Sequence, residues 1–301
     1  MKNRKKRKLK IKNIIIVLIV FLTLGLTMQA IVKSNPKKQK EEKNEVKTKK
    51  KTLTEQEEKY KELSNINKKL DYFKDDYLER YLEYKKNNQN LTDEQIIKNV
   101  NMNLDLEKYE QKQPAKYLNT EKILVNKYYY LEPDYVPENL EPIDSQYANS
   151  NMKMVKIAKE AFEKLATAAK KENLNIIAMS TYRSYDYQTN LYDRYVQQDG
   201  KENADTYSGR PGHSEHLTGL AADVYNKIEP YTNFEKTKEF EWMQEHAHEY
   251  GFILRFPKDK VEETGYQFES WHYRYVGLET AKYIKEHNIS FEEYYATIID
   301  K

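Results

Sequence analysis

The first 65 residues show an abrupt change from apolar to polar character. Residues 13–32, NIIIVLIVFLTLGLTMQAIV, carry no charge, whereas residues 33 to about 65 are almost wholly polar and offer no apolar face. Twenty helical residues span about 30 Å, the thickness of a bilayer's hydrocarbon core. Eight Lys or Arg residues among the first twelve predict a cytoplasmic amino terminus. The pattern therefore predicts a single-pass transmembrane anchor and a polar tether, with a cleaved signal peptide as the alternative.

From residue 70 the apolar positions become periodic. Four aromatic residues recur at steps of four, four and three, which places them on one helical face: Phe73, Tyr77, Tyr81 and Tyr84. A capping box of the Thr-x-x-Gln kind at Thr92 marks the start of a further helix. The segment is therefore predicted to form accessory helices in which the tyrosine stripe serves packing, with sugar binding as the alternative.

Beyond residue 115 the pattern predicts helices and strands of one compact domain, long enough to have its own core. Residues 122–131, KILVNKYYYL, are apolar and rich in β-forming side chains. Residues 149–172 have the spacing of a helix with one buried face. A short buried strand over 174–179 and a helix from about Tyr185 follow.

The carboxy-terminal part of the chain continues in the same mixed manner. A helix over about 234–250 is followed by Gly251, which suits the left-handed cap that ends a helix. Residues 252–256, FILRF, predict a strand, Thr264-Gly265 predicts a hairpin turn, and the last helix is predicted over 278–287. Since helices come before and after clustered strands, the sequence predicts an α+β fold with a mostly antiparallel sheet flanked by helices.

These patterns divide the chain into five parts and give it a location. The parts are a basic cytoplasmic tail (1–12), a transmembrane anchor (13–32), a polar tether (33–69), accessory helices (70–114) and a compact domain (115–301). The anchor would hold the domain on the extracytoplasmic side of the cell membrane, as a single-pass protein.

Net charge and cysteine content exclude several classes of function and of metal site. The chain has 51 Lys and Arg against 48 Asp and Glu, a net charge of +3, which argues against a nucleic-acid-binding protein with an uncompensated basic face. It has no cysteine, which excludes disulfides, thiolate catalysis and cysteine metal sites. Any metal must therefore be bound by His, Asp or Glu.

Two short stretches carry the densest groups of such residues. Residues 207–224, YSGRPGHSEHLTGLAADV, contain His213, His216 and Asp223, and about fifty residues later FESWHYRYVG contains His272. A catalytic zinc needs three protein ligands and one open position. We predict that His216, Asp223 and His272 bind one zinc ion. The spare histidines are the alternative ligands: His213, His246, His248 and His287.

Glu269 and Arg183 are the candidates for the chemistry itself. Glu269 lies three positions before His272, so on a regular strand the two side chains would point to opposite faces, and we predict a bend between them. With that bend Glu269 would act as general base on the attacking water. Arg183, at a predicted strand-to-helix junction, would offset negative charge on the reacting group or hold a substrate carboxylate.

Three motifs resemble those of the zinc D-alanyl-D-alanine carboxypeptidases of the vancomycin-resistance type, a family that also includes L,D-carboxypeptidases. The motifs are SEHLTGLAADV, ESWHYRYVG and TYRSYDYQTNLY, and YGFILRF resembles the family's strand. The resemblance implies a hedgehog and D,D-peptidase type of fold. It also implies zinc ligands at His216, Asp223 and His272, a catalytic base at Glu269, and peptide contacts at Arg183, Gln188 and Ser214. Phe256 departs from the family, whose members often carry Tyr there.

The resemblance leads to one prediction of function and two alternatives. The predicted activity is removal of the terminal D-alanine from peptidoglycan stem peptides, with one zinc per domain and without nucleic-acid partners. L,D-cleavage of tetrapeptides is the first alternative, and a non-catalytic wall-binding module is the second.

Overall fold

A computed structural model describes residues 70–301 and, before them, Lys47, Glu58 and Lys61. The predicted anchor at 13–32 lies outside the described residues, as does nearly all of the tether. Within the described part of the chain, no helix is both long and apolar enough to cross a bilayer. Residues 70–301 belong to one compact unit.

The α-helices of this unit surround a small amount of β-structure. They are α1 (Leu78–Asn87), α2 (Asp93–Asn101), α3 (Lys156–Lys171), α4 (Tyr185–Asp199), α5 (Lys201–Tyr207), α6 (Lys238–His246), α7 (Val261–Thr264), α8 (Leu278–His287) and α9 (Phe291–Tyr294). Helix α4 begins at Tyr185, as the sequence predicted, and helix α8 begins and ends at its predicted bounds.

The strands form three separate sheets. They are β1 (Gln113–Pro114), β2 (Tyr129–Tyr130), β3 (Leu140–Pro142), β4 (Lys153–Val155), β5 (Ile177–Ser180), β6 (Ala221–Tyr225), β7 (Phe252–Leu254) and β8 (His272–Tyr275). The central sheet has the order β5-β6-β8-β7 and is antiparallel throughout. The predicted α+β class with a mostly antiparallel sheet is confirmed.

Helix α3 covers the main core. Its buried side chains are Ala158, Phe162, Leu165, Ala166 and Ala169. The ring of Phe162 meets that of Phe252 in β7 edge to face, with centroids 6.1 Å apart. Full burial of one such Phe or Leu side chain stabilises the fold by about 1.5–3 kcal/mol, so this helix holds the sheet that carries the site.

The predicted helix over 149–172 begins later than expected, at Lys156. Residues Lys153–Val155 form strand β4 and pair with Leu140–Pro142 of β3. Helical spacing alone included Met154 in the helix, but strand pairing with a distant segment overrides that local preference. The prediction was therefore wrong for its first seven residues.

The apolar segment 122–131 is mostly irregular, although it was predicted to be rich in β-structure. Only Tyr129–Tyr130 forms a strand. Side chains satisfy the backbone in place of a ladder: Arg274 donates to the Ile123 carbonyl at 2.7 Å, and Asn126 Oδ1 accepts two backbone N–H groups farther along the segment. The segment is buried as its composition suggests, without being a strand.

The predicted hairpin turn at Thr264-Gly265 was also wrong. Helix α7 ends there, and Gly265 caps it in the left-handed region at a φ of 72°. Strands β7 and β8 do pair, but residues 255–271 connect them. A left-handed glycine suits either a turn or a helix end, as Gly251 shows: it ends the 3₁₀ helix Ala247–Tyr250 at a φ of 81°, as predicted.

The accessory helices α1 and α2 have a small core of their own. The predicted capping box at Thr92 is confirmed, with both reciprocal hydrogen bonds present. Tyr81 has no exposed surface, and its hydroxyl donates to Asn101 Oδ1 at 2.6 Å. Lys98 joins these helices to the rest of the unit through Glu293, at 3.0 Å. Tyr81 therefore serves packing.

Candidate active site

The two motif stretches meet on adjacent strands of the central sheet. Asp223 of β6 and His272 of β8 are direct partners across the ladder, and His272 Nδ1 lies 2.9 Å from Asp223 Oδ1. Cross-strand partners hold their side chains on the same face of a sheet. Strand register thus brings together two residues predicted from separate motifs.

A β-bulge in strand β5 directs further groups to the same place. The register shifts between Ala178 and Ser180, which sets Ser180 opposite Asp223. Ser180 Oγ accepts a hydrogen bond from Arg183 Nε at 3.0 Å. Arg183 Nη2 in turn donates to Asp223 Oδ2 at 2.6 Å. Bulges often re-aim side chains beside active sites, and this one places the predicted Arg183 at the edge of the cluster.

His216 reaches the cluster from a 3₁₀ turn, Glu215–Thr218, that leads into strand β6. Its Nδ1 lies 2.7 Å from the Thr181 carbonyl oxygen. Because a carbonyl can only accept, Nδ1 carries the proton and Nε2 faces Asp223 Oδ2, at 3.2 Å. Gly219 ends the turn with a φ of 69°, a conformation that side-chain-bearing residues rarely adopt.

His216, Asp223 and His272 form a metal-ligand set. Each offers one donor atom, and these atoms lie within 4.8 Å of one another, the one such group among the described residues. Two imidazole nitrogens and a carboxylate oxygen are donors that catalytic zinc accepts, with a fourth position left for water or substrate. All three side chains are buried. The residues present therefore fit the predicted zinc.

Behind His272 lie four buried charged side chains, which we call the buried ion network: Glu215, Arg255, Arg274 and Glu292. Arg255 donates from Nε to Glu215 Oε1 at 2.8 Å and through both terminal nitrogens to Glu292. Arg274 Nη1 donates to the same Glu215 oxygen at 3.0 Å. The four side chains are at most 3% exposed. Two positive and two negative charges balance, which offsets much of the cost of burying them.

Glu269 lies beside the ligand set on a turn. Strand β8 begins only at His272, and the His272 amide donates back to the Glu269 carbonyl at 3.3 Å. The predicted bend between them is therefore present. It leaves a Glu269 carboxylate oxygen 3.9 Å from His272 Nδ1. Burial raises the pKa of Glu269 to about 8, against a lowering effect of His272.

The ligand side chains are electrostatically coupled. Burial, assisted by Arg183, lowers the pKa of His216 to about 4. Burial also opposes a charge on His272, but its hydrogen bond to Asp223 and the nearby Glu215 carboxylate outweigh it and raise the pKa of His272 to about 9. Despite burial, His216 and Arg183 hold the pKa of Asp223 well below its usual range.

The remaining predicted residues, Gln188, Ser214 and the alternative His213, are buried and lie outside the ligand set. Gln188 is buried and donates to the Gly209 carbonyl at 2.8 Å, while its Oε1 has no hydrogen-bond partner. Ser214 is buried directly before the His216 turn. His213 bonds through Nδ1 to the Asn126 carbonyl at 2.7 Å and is not part of the ligand set. The peptide contacts predicted for Gln188 and Ser214 stay predictions.

Two residues were missed by the sequence analysis. Glu215 was quoted only as a letter of its motif. Tyr231 begins a 3₁₀ helix, Tyr231–Lys236, and its ring meets that of Trp271 at right angles, with 5.0 Å between the centroids. Burial and the charges of Asp223 and Glu269 raise the pKa of Tyr231, so it lies within electrostatic reach of the cluster. A partly exposed aromatic residue beside such a site is a candidate substrate contact.

Comparison with known proteins places this geometry in context. The family model VanY, D-alanyl-D-alanine carboxypeptidase, matches residues 151–278. The putative carboxypeptidase YodJ of Bacillus subtilis is 40% identical over 182 residues, which cover 58% of this chain and 67% of YodJ. A D-alanyl-D-alanine carboxypeptidase of Enterococcus faecium is 41% identical over 147 residues, 48% of this chain. The match covers 45% of that enzyme, slightly less than half of its length.

Solved structures share the fold. An LdcB LD-carboxypeptidase, described for its recognition of peptidoglycan, superposes with a TM-score of 0.59 and 35% identity, covering 64% of this chain and 94% of that one. A mutant of the vancomycin-resistance D,D-pentapeptidase VanY, solved with Zn(II), gives a TM-score of 0.52 at 32% identity, covering 58% and 98%. The match to the family model, over residues 151–278, includes all three residues of the ligand set.

Proposed function

The chain belongs to the VanY family of D-alanyl-D-alanine carboxypeptidases and is a zinc carboxypeptidase, and on this basis we propose that it removes the terminal D-alanine from peptidoglycan stem peptides. The observation that carries the proposal is the buried His216, Asp223 and His272 cluster with a base at its side. A wall-binding module without catalysis would have no need of Glu269, and family membership excludes that alternative.

Three residues of the site would bind the metal, and a fourth, Glu269, would transfer the proton. His216 through Nε2, Asp223, and His272 through Nδ1 would hold the zinc. When bound, zinc lowers the pKa of a water molecule toward 7 and polarises the carbonyl of the bond to be cut. Glu269 accepts the proton of the attacking water and later donates it to the leaving amine of D-alanine.

Burial makes Glu269 well suited to carry that proton. A carboxylate that is 6% exposed and receives no hydrogen bond among the described residues holds a proton more tightly than one in water. A divalent cation in the same pocket favours the ionised form, which is the form required for a base. The two effects act in opposite directions on the affinity of Glu269 for a proton, so that it can both accept and return one.

Arg183 explains why the substrate would be a carboxy-terminal residue. With zinc bound, its two positive charges balance Asp223 and Glu269, and the buried ion network is neutral by itself. Arg183 is then the unbalanced charge at the site, and its Nη1 has no hydrogen bond among the described residues. A guanidinium in that place suits the single negative charge of a free peptide carboxylate.

A second candidate, L,D-cleavage of tetrapeptides, is favoured by the similarity to LdcB, whose TM-score of 0.59 exceeds the 0.52 of the zinc-bound D,D-pentapeptidase. The ring of Phe256 lies 4.9 Å from that of His272, so the residue that departs from the family pattern is next to a ligand. The ligand set and Glu269 serve either cleavage.

Mass spectrometry of defined peptides tests both. The full chain is incubated with zinc and with a pentapeptide ending in D-Ala-D-Ala or a tetrapeptide ending in one D-Ala. The D,D-activity predicts loss of one alanine from the pentapeptide and an unchanged tetrapeptide, whereas L,D-activity predicts the reverse. If neither peptide is shortened, the proposed reaction is wrong.

We also propose that residues 13–32 anchor the enzyme in the cell membrane and that the domain lies outside, where peptidoglycan is found. The apolar run with its basic flank supports this. Fractionation tests the anchor: the protein should stay with membranes after a high-salt wash. Release into the soluble fraction would show that the segment does not hold it there.

A further inference from the structure

We infer that Glu215 is a positioning residue for the metal site: it holds the Nε2 proton of His272 and so presents Nδ1 to the ion. The inference rests on the proposed zinc site. Glu215 Oε2 and His272 Nε2 face each other at 3.6 Å, and neither has another hydrogen-bond partner although both are buried. At that distance the contact is longer than a hydrogen bond. Buried polar atoms rarely stay unpaired, so a small movement that closes this gap is favourable for both.

The tautomer of His272 decides whether it can bind a metal on the Asp223 side. Its Nδ1 is directed at Asp223, and a nitrogen binds a metal only when it has lost its proton. The proton must then be on Nε2. A carboxylate has no hydrogen to donate and can only accept, so Glu215 stabilises the Nε2–H form. Ligating histidines commonly donate their other N–H to a carboxylate in this way.

The buried ion network keeps Glu215 in place. Arg255 and Arg274 both donate to its Oε1, at 2.8 and 3.0 Å, which leaves Oε2 as the oxygen that faces His272. Arg255 is held at its other end by Glu292. If Glu215 rotated away or lost its charge, two guanidinium groups would stay buried without the carboxylate that balances them, which is costly. Glu215 is therefore held in its place and in its charged form.

The 3₁₀ turn Glu215–Thr218 thus orients two of the metal ligands, His216 and His272. Glu215 and His216 are consecutive residues of the same 3₁₀ turn. The side chain of His216 enters the ligand set from one side, and that of Glu215 passes behind His272 on the other. The turn fixes one histidine by its backbone and the second through a carboxylate.

Glu215→Gln provides a sharp test because it reverses the hydrogen-bond pattern. The two arginines hold the amide oxygen in the place of Oε1, so the amide NH₂ faces His272 and donates to Nε2. This favours the tautomer with the proton on Nδ1, which opposes metal binding there. The matched control is Glu292→Gln, which removes one charge from the same network, keeps an amide oxygen that can accept from Arg255, and has no contact with His272.

Zinc affinity of the full chain is measured by competition with a chelator, at a temperature where circular dichroism shows each variant folded. We expect Glu215→Gln to lower the affinity by about 10- to 100-fold and Glu292→Gln to leave it within about threefold. Equal losses in both variants, or no loss in Glu215→Gln, would overturn the inference. Failure of the wild-type chain to bind zinc would instead refute the proposed site.

A second measurement needs no variant. In zinc-loaded protein with ¹⁵N-labelled histidine, long-range ¹H–¹⁵N correlations identify the protonated and the metal-bound nitrogen of each ring. We expect His272 to be protonated at Nε2 and bound through Nδ1. The opposite assignment would leave Glu215 without a proton to hold, and the inference would be wrong even if Glu215→Gln did not fold.

Discussion

Replacing Glu292 by Gln should destabilise the enzyme far more than the same change one residue later. Glu292 is 1% exposed, receives two hydrogen bonds from Arg255 and accepts a third from Asn126 Nδ2 at 3.1 Å. Its loss leaves two guanidinium groups facing one carboxylate, a net buried charge. Removing one partner of a buried ion pair costs about 3–5 kcal/mol. For a unit of this size, that corresponds to a fall in Tm of about 6–20 °C.

Glu293→Gln is the matched control because it alters a partly exposed ion pair on the same helix. Glu293 is 15% exposed and pairs with Lys98 at 3.0 Å, a kind of contact worth about 1 kcal/mol or less. Thermal and urea unfolding are followed by circular dichroism in the presence of chelator, so that metal binding does not mask the difference. If Glu292→Gln lowered the free energy of unfolding no more than Glu293→Gln, the argument that the network holds the fold would be refuted.

Three further predictions concern the site and its surroundings. Glu269→Gln should retain zinc but release D-alanine about 100- to 10,000-fold more slowly, because the general base is lost; release at the wild-type rate would show that another group is the base. Tyr231→Ala should raise KM for the peptide roughly tenfold with little change in kcat, because an aromatic contact outside the reacting atoms is lost; Tyr231→Phe serves as control, and an unchanged KM in Tyr231→Ala would remove Tyr231 from the substrate path. Burial, with the nearby Lys108, lowers the pKa of Lys127 in the folded chain to about 8, from the ordinary value of 10.5. Between these two pH values Lys127 is protonated in the unfolded chain but not in the folded one, so the free energy of unfolding of the wild type should rise with pH. Lys127→Met should remove this rise, which urea titrations of the wild type and the variant at pH 7.5 and 10 would measure. If the free energy of unfolding changed equally with pH in both proteins, the prediction would be wrong.

Local signals predicted the helix boundaries where the local chemistry decides them. The capping box at Thr92 and the left-handed cap at Gly251 involve hydrogen bonds or backbone angles within a few residues, so spacing in the sequence was sufficient. Met154 was assigned to a helix because its spacing fits one, yet it lies in a strand whose partner, Leu140–Pro142, is distant in the chain. Such pairing cannot be read from local periodicity.

The ligand set was predicted because motif and residue type agree. The contact of Glu215 with His272, which supports one of the ligands, was not predicted. His216 and Glu215 are neighbours in a 3₁₀ turn, and no strand or helix period tells which of the two side chains faces the metal. The partners of Glu215 come from strand β8 and from the residue after strand β7, so its role depends on tertiary structure alone. In the same way, the irregular path of residues 122–131 depends on a guanidinium supplied by Arg274.

The pairing of Asp223 with His272 across strands β6 and β8 also has a consequence for the order of folding. The two residues are 49 positions apart in the chain, so their meeting requires closure of a long loop. A slip of one residue in that ladder would turn His272 to the opposite face of the sheet. Zinc therefore has no complete set of ligands until the native register has formed. An ion that binds the folded chain and not the unfolded one stabilises the folded chain by mass action, so the metal would favour the native register over a slipped one.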